Sequence, residues 1–266
     1  MIKLIVSDMD GCLLDGKGRL PEGFGYALEL MNKNKVVFAA ASGRAPGGMK
    51  RPFGQYADEP AFISDNGARA FYGGRCLYER ALDIGIFKPV IAEMRRHEGL
   101  LSVACGKTKA WVERPDIIND DMAEELSKYY TSWNKCSFDL PAEPIIKFAL
   151  LYFDDIEKNI YPSFIKYDND RICIQVTAFV WMDVYEKGIS KGNGIEGLQR
   201  ELGIAPEETV VFGDYLNDLS MADHAAVSYA PANAHPDVKE RYDEVIGSNT
   251  EGGVVKQIIR LLERKP

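Results

Sequence analysis

KLIVSDMDGCLL, residues 3–14, is the stretch from which the fold is read. Residues 3–9 form an apolar run closing on acids, the signature of a buried parallel strand that delivers carboxylates at its C-terminal end. Asp8 and Asp10 flank Met9. On a strand, residues i and i+2 share a face about 6.5–7 Å apart, and Gly11 lets the chain turn sharply beside them. Open α/β sheets place their sites beyond such strand ends. Of two carboxylates there, one can attack while the other moves protons. A solvated turn would use the same residues.

Outward from this stretch, Pro21 opens a helix to about residue 35 with Phe24, Leu28 and Met31 on one side. A strand at 36–41 leads into Ser42-Gly43-Arg44, and after a short helix a strand at 61–64 ends in Asp65-Asn66-Gly67. This alternation predicts a doubly wound, mostly parallel, Rossmann-like α/β sheet. Near residue 82 the rhythm changes. Helices are expected at 87–97 and 120–131, a hairpin at 101–113, and strands at 145–153, 171–177 and 180–185, an antiparallel α+β unit. From Ser190 the α/β pattern returns: helix 190–203, strand 209–212, helix 216–223, strand 225–229, helix 234–240, strand 244–246 and helix 253–264. The expected organisation is a core of 1–82 and 186–266 interrupted by an inserted domain, 83–185.

The second acidic cluster, Gly213-Asp214-Tyr215-Leu216-Asn217-Asp218, follows another apolar strand. If both strand ends share a crevice, Asp8, Asp10, Asp214 and Asp218 converge, and such density raises pKa values or demands a cation. Oxygen ligands without Cys or His point to Mg²⁺; helix capping is the plainer reading. Ser42 and the backbone N–H groups around Gly43 suit a phosphoryl oxygen, as they suit a cap. Lys191 opens a helix, where a cation opposes the dipole, so it answers a nearby anion or merely meets solvent.

DMDGCLL (8–14), ASGR (41–44), SKG (190–192) and GDYLND (213–218) together resemble the four motifs of the haloacid dehalogenase superfamily. The large insertion after Asp65-Asn66-Gly67 is similar to the α/β cap of its Cof-like (type IIB) phosphatases. The resemblance spans essentially the whole chain. It implies Asp8 as the nucleophile that forms an aspartyl-phosphate and Asp10 as general acid/base. It implies phosphate-binding roles for Ser42, Gly43, Lys191 and Asn217. Mg²⁺ would be held by Asp8, Asp214 and the backbone carbonyl of Asp10, with Asp218 supporting its shell. The implied activity is hydrolysis of small phosphorylated metabolites, sugar phosphates foremost. A phosphomutase on the same core, or a non-catalytic sugar-phosphate-binding module, are the alternatives. One departure is Cys12, where the family usually has Thr; it is expected to be a small buried apolar residue.

Composition sets the remaining bounds. The chain has 266 residues and a net charge of −8, without the basic excess of a nucleic-acid binder. Its longest apolar runs, 36–41 and 148–153, fall far short of the ~20 residues needed to span a bilayer. Acids by position 8 argue against a signal peptide. Five cysteines without a CxxC pair suit reduced thiols in a cytoplasm, and three scattered histidines suit no His-rich metal site. A monomer or small homo-oligomer is expected. Trp111, Trp133, Tyr152 and Trp181 in the insertion are expected to be core residues rather than a sugar platform.

Overall fold

A computed structural model describes residues 1–107, 109–127, 130 and 132–263. The chain divides into two compact units, 1–79 with 190–266, and 80–189. The first begins with β1 (Leu4–Asp8), α1 (Phe24–Lys33), β2 (Val37–Ala41), α2 (Pro46–Lys50), β3 (Ala61–Ser64), β4 (Arg69–Tyr72) and β5 (Arg75–Glu79). The second contains α3 (Ile84–Met94), β6 (Leu101–Gly106), β7 (Ala110–Val112), α4 (Asp120–Ser127), β8 (Trp133–Lys135), β9 (Ile145–Leu151), α5 (Ile156–Asn159), α6 (Tyr161–Phe164), β10 (Ile172–Ala178) and β11 (Trp181–Glu186). The first unit resumes with α7 (Lys191–Leu202), β12 (Thr209–Phe212), β13 (Val227–Pro231), α8 (Pro236–Arg241), β14 (Glu244–Ile246) and α9 (Gly253–Glu263).

Among the described residues the first unit forms an eight-stranded sheet in the order β14-β13-β12-β1-β2-β3-β4-β5. Its strands are parallel from β14 to β3. All five residues of β1 are buried, as a strand covered on both faces requires. On one face α1 buries Phe24, Ala27, Leu28 and Met31, a helical spacing, beside Val254, Val255 and Ile258 of α9. On the other, Ile195 and Leu198 of α7 and Val238 of α8 pack with Val6 and Ala39. Parallel strands deliver their carboxyl ends to a single edge, and β1, β2, β3 and β12 all stop there.

Several details differ from the expected pattern or refine it. β4 and β5 form an antiparallel hairpin across Gly73-Gly74, both with positive φ, which the sequence reading did not anticipate. The helix expected over 216–223 is present as a 3₁₀ helix, Leu216–His224. The helix expected over 120–131 is described as far as Ser127, with 128, 129 and 131 outside the described residues, as is 264 at the end of the closing helix.

The second unit's six-stranded sheet runs β10-β11-β9-β6-β7-β8. It is antiparallel except for β8, an unanticipated strand that pairs parallel with β7. Phe87, Val90 and Ile91 of α3 cover one face together with Phe164 of α6. Met122 and Leu126 of α4 lie on the other, beside Trp181 and Trp133. Trp111 and Tyr152 join the first of these clusters, so the four aromatic residues all pack into the unit's core. Among the described residues no helix is long and apolar enough to cross a membrane.

Candidate active site

Asp8 ends β1 with its side chain buried, and Met9 behind it is fully buried. The strand stops there. Asp10 lies in the following turn, beyond the strand whose pleat was expected to align it with Asp8. Gly11 makes this turn possible: its φ is +86°, and a Cβ there would run into the Asp214 carboxylate. The Asp10 carboxylate is 52% exposed and is gripped by Arg44, Nε to Oδ2 at 2.9 Å and Nη2 to Oδ1 at 2.6 Å.

Lys191 is brought to Asp8 by α7. Ser190 caps that helix, its Oγ accepting from the Asn193 N–H at 3.2 Å. Lys191, 1% exposed, donates to Asp8 Oδ1 and, at 2.6 Å, to Asp218 Oδ1. Asp218 is fully buried, and its Oδ2 accepts from the N–H groups of Asp214 and Tyr215 at 2.9 and 3.0 Å. One carboxylate thus holds both the lysine and the loop that presents Asp214. Tyr242 donates its hydroxyl to the Asp218 carbonyl at 2.8 Å.

Carboxylate oxygens of Asp8, Asp214 and Asp218 lie within 4.8 Å of one another. Three carboxylates lie around one ammonium, a formal excess of negative charge. Burial pushes the Asp8 carboxyl well above the usual range, with Asp218 and Asp214 adding to the rise and Lys191 opposing it. Burial and Asp218 push Asp214 up to about 6. Burial works against the charge on Lys191, but Asp218 and Asp8 outweigh it and hold its pKa above the usual value. Asp8 Oδ2 and Asp214 Oδ1 are buried and have no hydrogen-bond partner among the described residues. Unpaired buried oxygens beside excess negative charge fit a hard divalent cation, and the donor set is all oxygen.

The remaining candidates surround Asn66. Ser42, buried just past β2, accepts from the Arg44 N–H at 3.1 Å. A side chain begun at Gly43 would start 3.1 Å from Asn66 Oδ1, and that oxygen also accepts from Asn217 Nδ2 at 3.2 Å. Asp65 and Asn66 both have left-handed backbone (φ 53° and 55°), a costly conformation for side-chain-bearing residues. The buried Arg69 pins that turn by donating to Asp65 Oδ2 at 2.9 and 2.6 Å. Cys12 is fully buried, and burial, then Asp8, pushes its thiol well up, so it stays protonated.

Arg44 and Asn66 lie within the motifs, which by themselves mark no role for either. Asn233, which donates to the Gly11 carbonyl at 2.7 Å, and Tyr242 lay in no motif at all.

Residues 5–258 match the family model described as haloacid dehalogenase-like hydrolase. The chain is 29% identical over 266 residues, 99% of its own length and 97% of the relative's, to the Escherichia coli 5-amino-6-(5-phospho-D-ribitylamino)uracil phosphatase YbjI. Among solved structures, TM0651 from Thermotoga maritima has a TM-score of 0.85 at 21% identity, covering 98% of this chain and 97% of that one. The subclass IIB sugar phosphatase BT4131 has a TM-score of 0.76 at 26% identity, covering 97% and 98%.

Proposed function

The chain belongs to the haloacid dehalogenase-like hydrolase family, and from that premise we propose that it is a Mg²⁺-dependent phosphomonoester hydrolase of small phosphorylated metabolites. The observation that carries this reading is the group of three carboxylates around the buried Lys191, with two buried oxygens left unpaired. Asp8 and Asp214, with the backbone carbonyl of Asp10, would hold the ion, and Asp218 supports them by fixing the loop of Asp214. When bound, Mg²⁺ supplies positive charge against the transferring phosphoryl group.

Asp8 is the nucleophile. Its carboxylate oxygen attacks phosphorus, the ester P–O bond breaks, and the leaving oxygen takes a proton from Asp10. Asp10 then takes a proton from the water that cleaves the aspartyl-phosphate, releasing inorganic phosphate and restoring Asp8. Lys191 offsets the charge on the phosphoryl oxygens, and its two aspartates fix its direction beforehand. Ser42, the N–H groups near Gly43, and Asn217 complete the phosphate cradle.

Residues 1–82 and 186–266 would form the catalytic core, and 83–185 would select the substrate. Sugar and sugar-alcohol phosphates are the favoured class; the Escherichia coli relative is named for a phosphate carried on a ribityl chain. Among the described residues no cysteine is in a disulfide, which suits a reducing compartment such as the cytoplasm.

The test is phosphate release from p-nitrophenyl phosphate and a panel of sugar and sugar-alcohol phosphates, with Mg²⁺ or EDTA, beside Asp8→Asn. Metal-dependent release that vanishes in the variant is the expected result. Interconversion of sugar-phosphate isomers without release would favour a mutase. Binding without turnover would favour a non-catalytic module.

A further inference from the structure

Arg44 has no part in the chemistry above, yet it is tied down more thoroughly than a surface arginine needs to be. Its N–H donates to Ser42 Oγ at 3.1 Å, and its carbonyl accepts from the Asp65 N–H at 3.0 Å. Nη1 donates to the Gly48 carbonyl at 3.2 Å, which leaves Nε and Nη2 as a fork on both oxygens of Asp10. Asp10 needs such a guide. Its carboxylate is 52% exposed and sits beyond the end of β1, and among the described residues Arg44 is the partner that fixes its direction. An exposed ion pair adds little to stability, so the value of this one lies in geometry: two parallel N–H···O bonds set the plane of a carboxylate, and they suit its ionised form.

We propose that Arg44 is the positioning residue for Asp10, holding its carboxylate ready to receive a proton while the phosphorylated Asp8 is hydrolysed. The inference rests on the function proposed above. In that step the water oxygen bonds to phosphorus as the P–O bond to Asp8 breaks. The electron pair of that bond returns to the Asp8 carboxylate, the water proton passes to Asp10, and inorganic phosphate leaves. Without Arg44, Asp10 samples solvent-facing directions and this half of the reaction slows.

The test uses p-nitrophenyl phosphate, whose nitrophenolate departs without needing a proton, so that the first half-reaction depends little on Asp10. Wild type, Arg44→Ala and Arg44→Lys are assayed at steady state with Mg²⁺, and the intact protein is weighed after acid quench during turnover. For Arg44→Ala, kcat is expected to fall ~10–100-fold, part of the ~10²–10⁴ that a general base contributes. KM should fall with it, leaving kcat/KM nearly unchanged, because breakdown of the phosphoenzyme becomes limiting. A larger fraction of the quenched protein should then carry one added phosphoryl group, and Arg44→Lys should recover part of the rate. In an Asp10→Ala background the Arg44→Ala change should add nothing, since it acts through Asp10.

A raised KM at unchanged kcat, or a phosphorylated fraction no greater than that of wild type, would overturn the assignment. The same holds if Arg44→Ala further slows the Asp10→Ala variant. A wild type that releases no phosphate would instead bring down the functional reading, and the role of Arg44 with it.

Discussion

Among the described residues two lysines are buried, one in each unit, and both meet aspartate. Lys147 lies within β9 and reaches Asp183 on the neighbouring β11 at 2.7 Å, a diagonal pair on one sheet face. Lys191 opens α7 and reaches Asp8 and Asp218, which come from the end of β1 and from the 3₁₀ segment after β12. In the first case opposite charges meet across two neighbouring strands of one sheet. In the second, three chain segments bring one cation among three carboxylates and leave buried oxygens unpaired. A buried charge that the fold pairs within a sheet serves the fold. On the proposed function, a buried charge left in excess at strand ends serves a ligand.

The sharpest way to break this contrast is Asp8→Asn, which should lower phosphate release more than ~10³-fold, as loss of a covalent nucleophile does. Lys191→Met should follow, lowering kcat by about 10²–10³-fold, the scale of a lost preorganised charge. Near-normal turnover in that variant would make Lys191 the same kind of residue as Lys147. For Lys147→Met the expected loss is in stability, about 3 kcal/mol, because Asp183 is left buried without this cation. Chemical denaturation followed by fluorescence of the three tryptophans, all in the second unit, would read it.

The pH dependence of the metal-free protein sharpens the contrast further. The Asp214 carboxyl is raised from its usual value near 3.8 to about 6, so the folded state binds more protons than the unfolded state between those values. Stability contributed by the protonated carboxyl is present at low pH and is lost as pH rises through about 6. Relative to wild type, metal-free Asp214→Asn should therefore gain about 2 kcal/mol between pH 4 and pH 7. This follows from about 1.4 kcal/mol for each tenfold change in proton affinity, discounted for the partial exposure of the carboxyl. Unfolding curves at the two pH values check this, and added Mg²⁺ should flatten the wild-type response. The smallest effect is expected of Cys12→Ser. Ser7 Oγ lies 3.7 Å from the Cys12 sulfur and can partner a new hydroxyl, so stability should change by about 1 kcal/mol or less and kcat little.

The same contrast explains what could be read from the sequence. Asp8, Ser42, Lys191, Asp214 and Asp218 each sit at a strand end or helix start, and short motifs mark such places even when far apart in sequence. β12 and β14 also fall at their expected bounds, and β12 does so as a short buried run between polar breaks. The hairpin of β4 and β5 was missed because its second strand is only partly buried and shows no clean alternation. β8, three residues long, carries too little pattern to register. The direction of Asp10 depends on where β1 stops, and the contacts of Asn233 and Tyr242 depend on tertiary approach alone. No local spacing encodes either.

The interrupted course of the first unit also bears on how the protein is made. β1 pairs on one side with β2, which follows it closely, and on the other with β12, about two hundred residues later. During synthesis, residues 80–189 are therefore complete and free to fold as a unit while the central strand of the other sheet still has a bare edge. That unsatisfied edge is open to wrong pairing until residues 209–212 emerge. A released chain that ends between residues 190 and 208 should thus contain a complete inserted unit and a half-built, aggregation-prone sheet, and its Asp8 would lack Asp214 and Asp218.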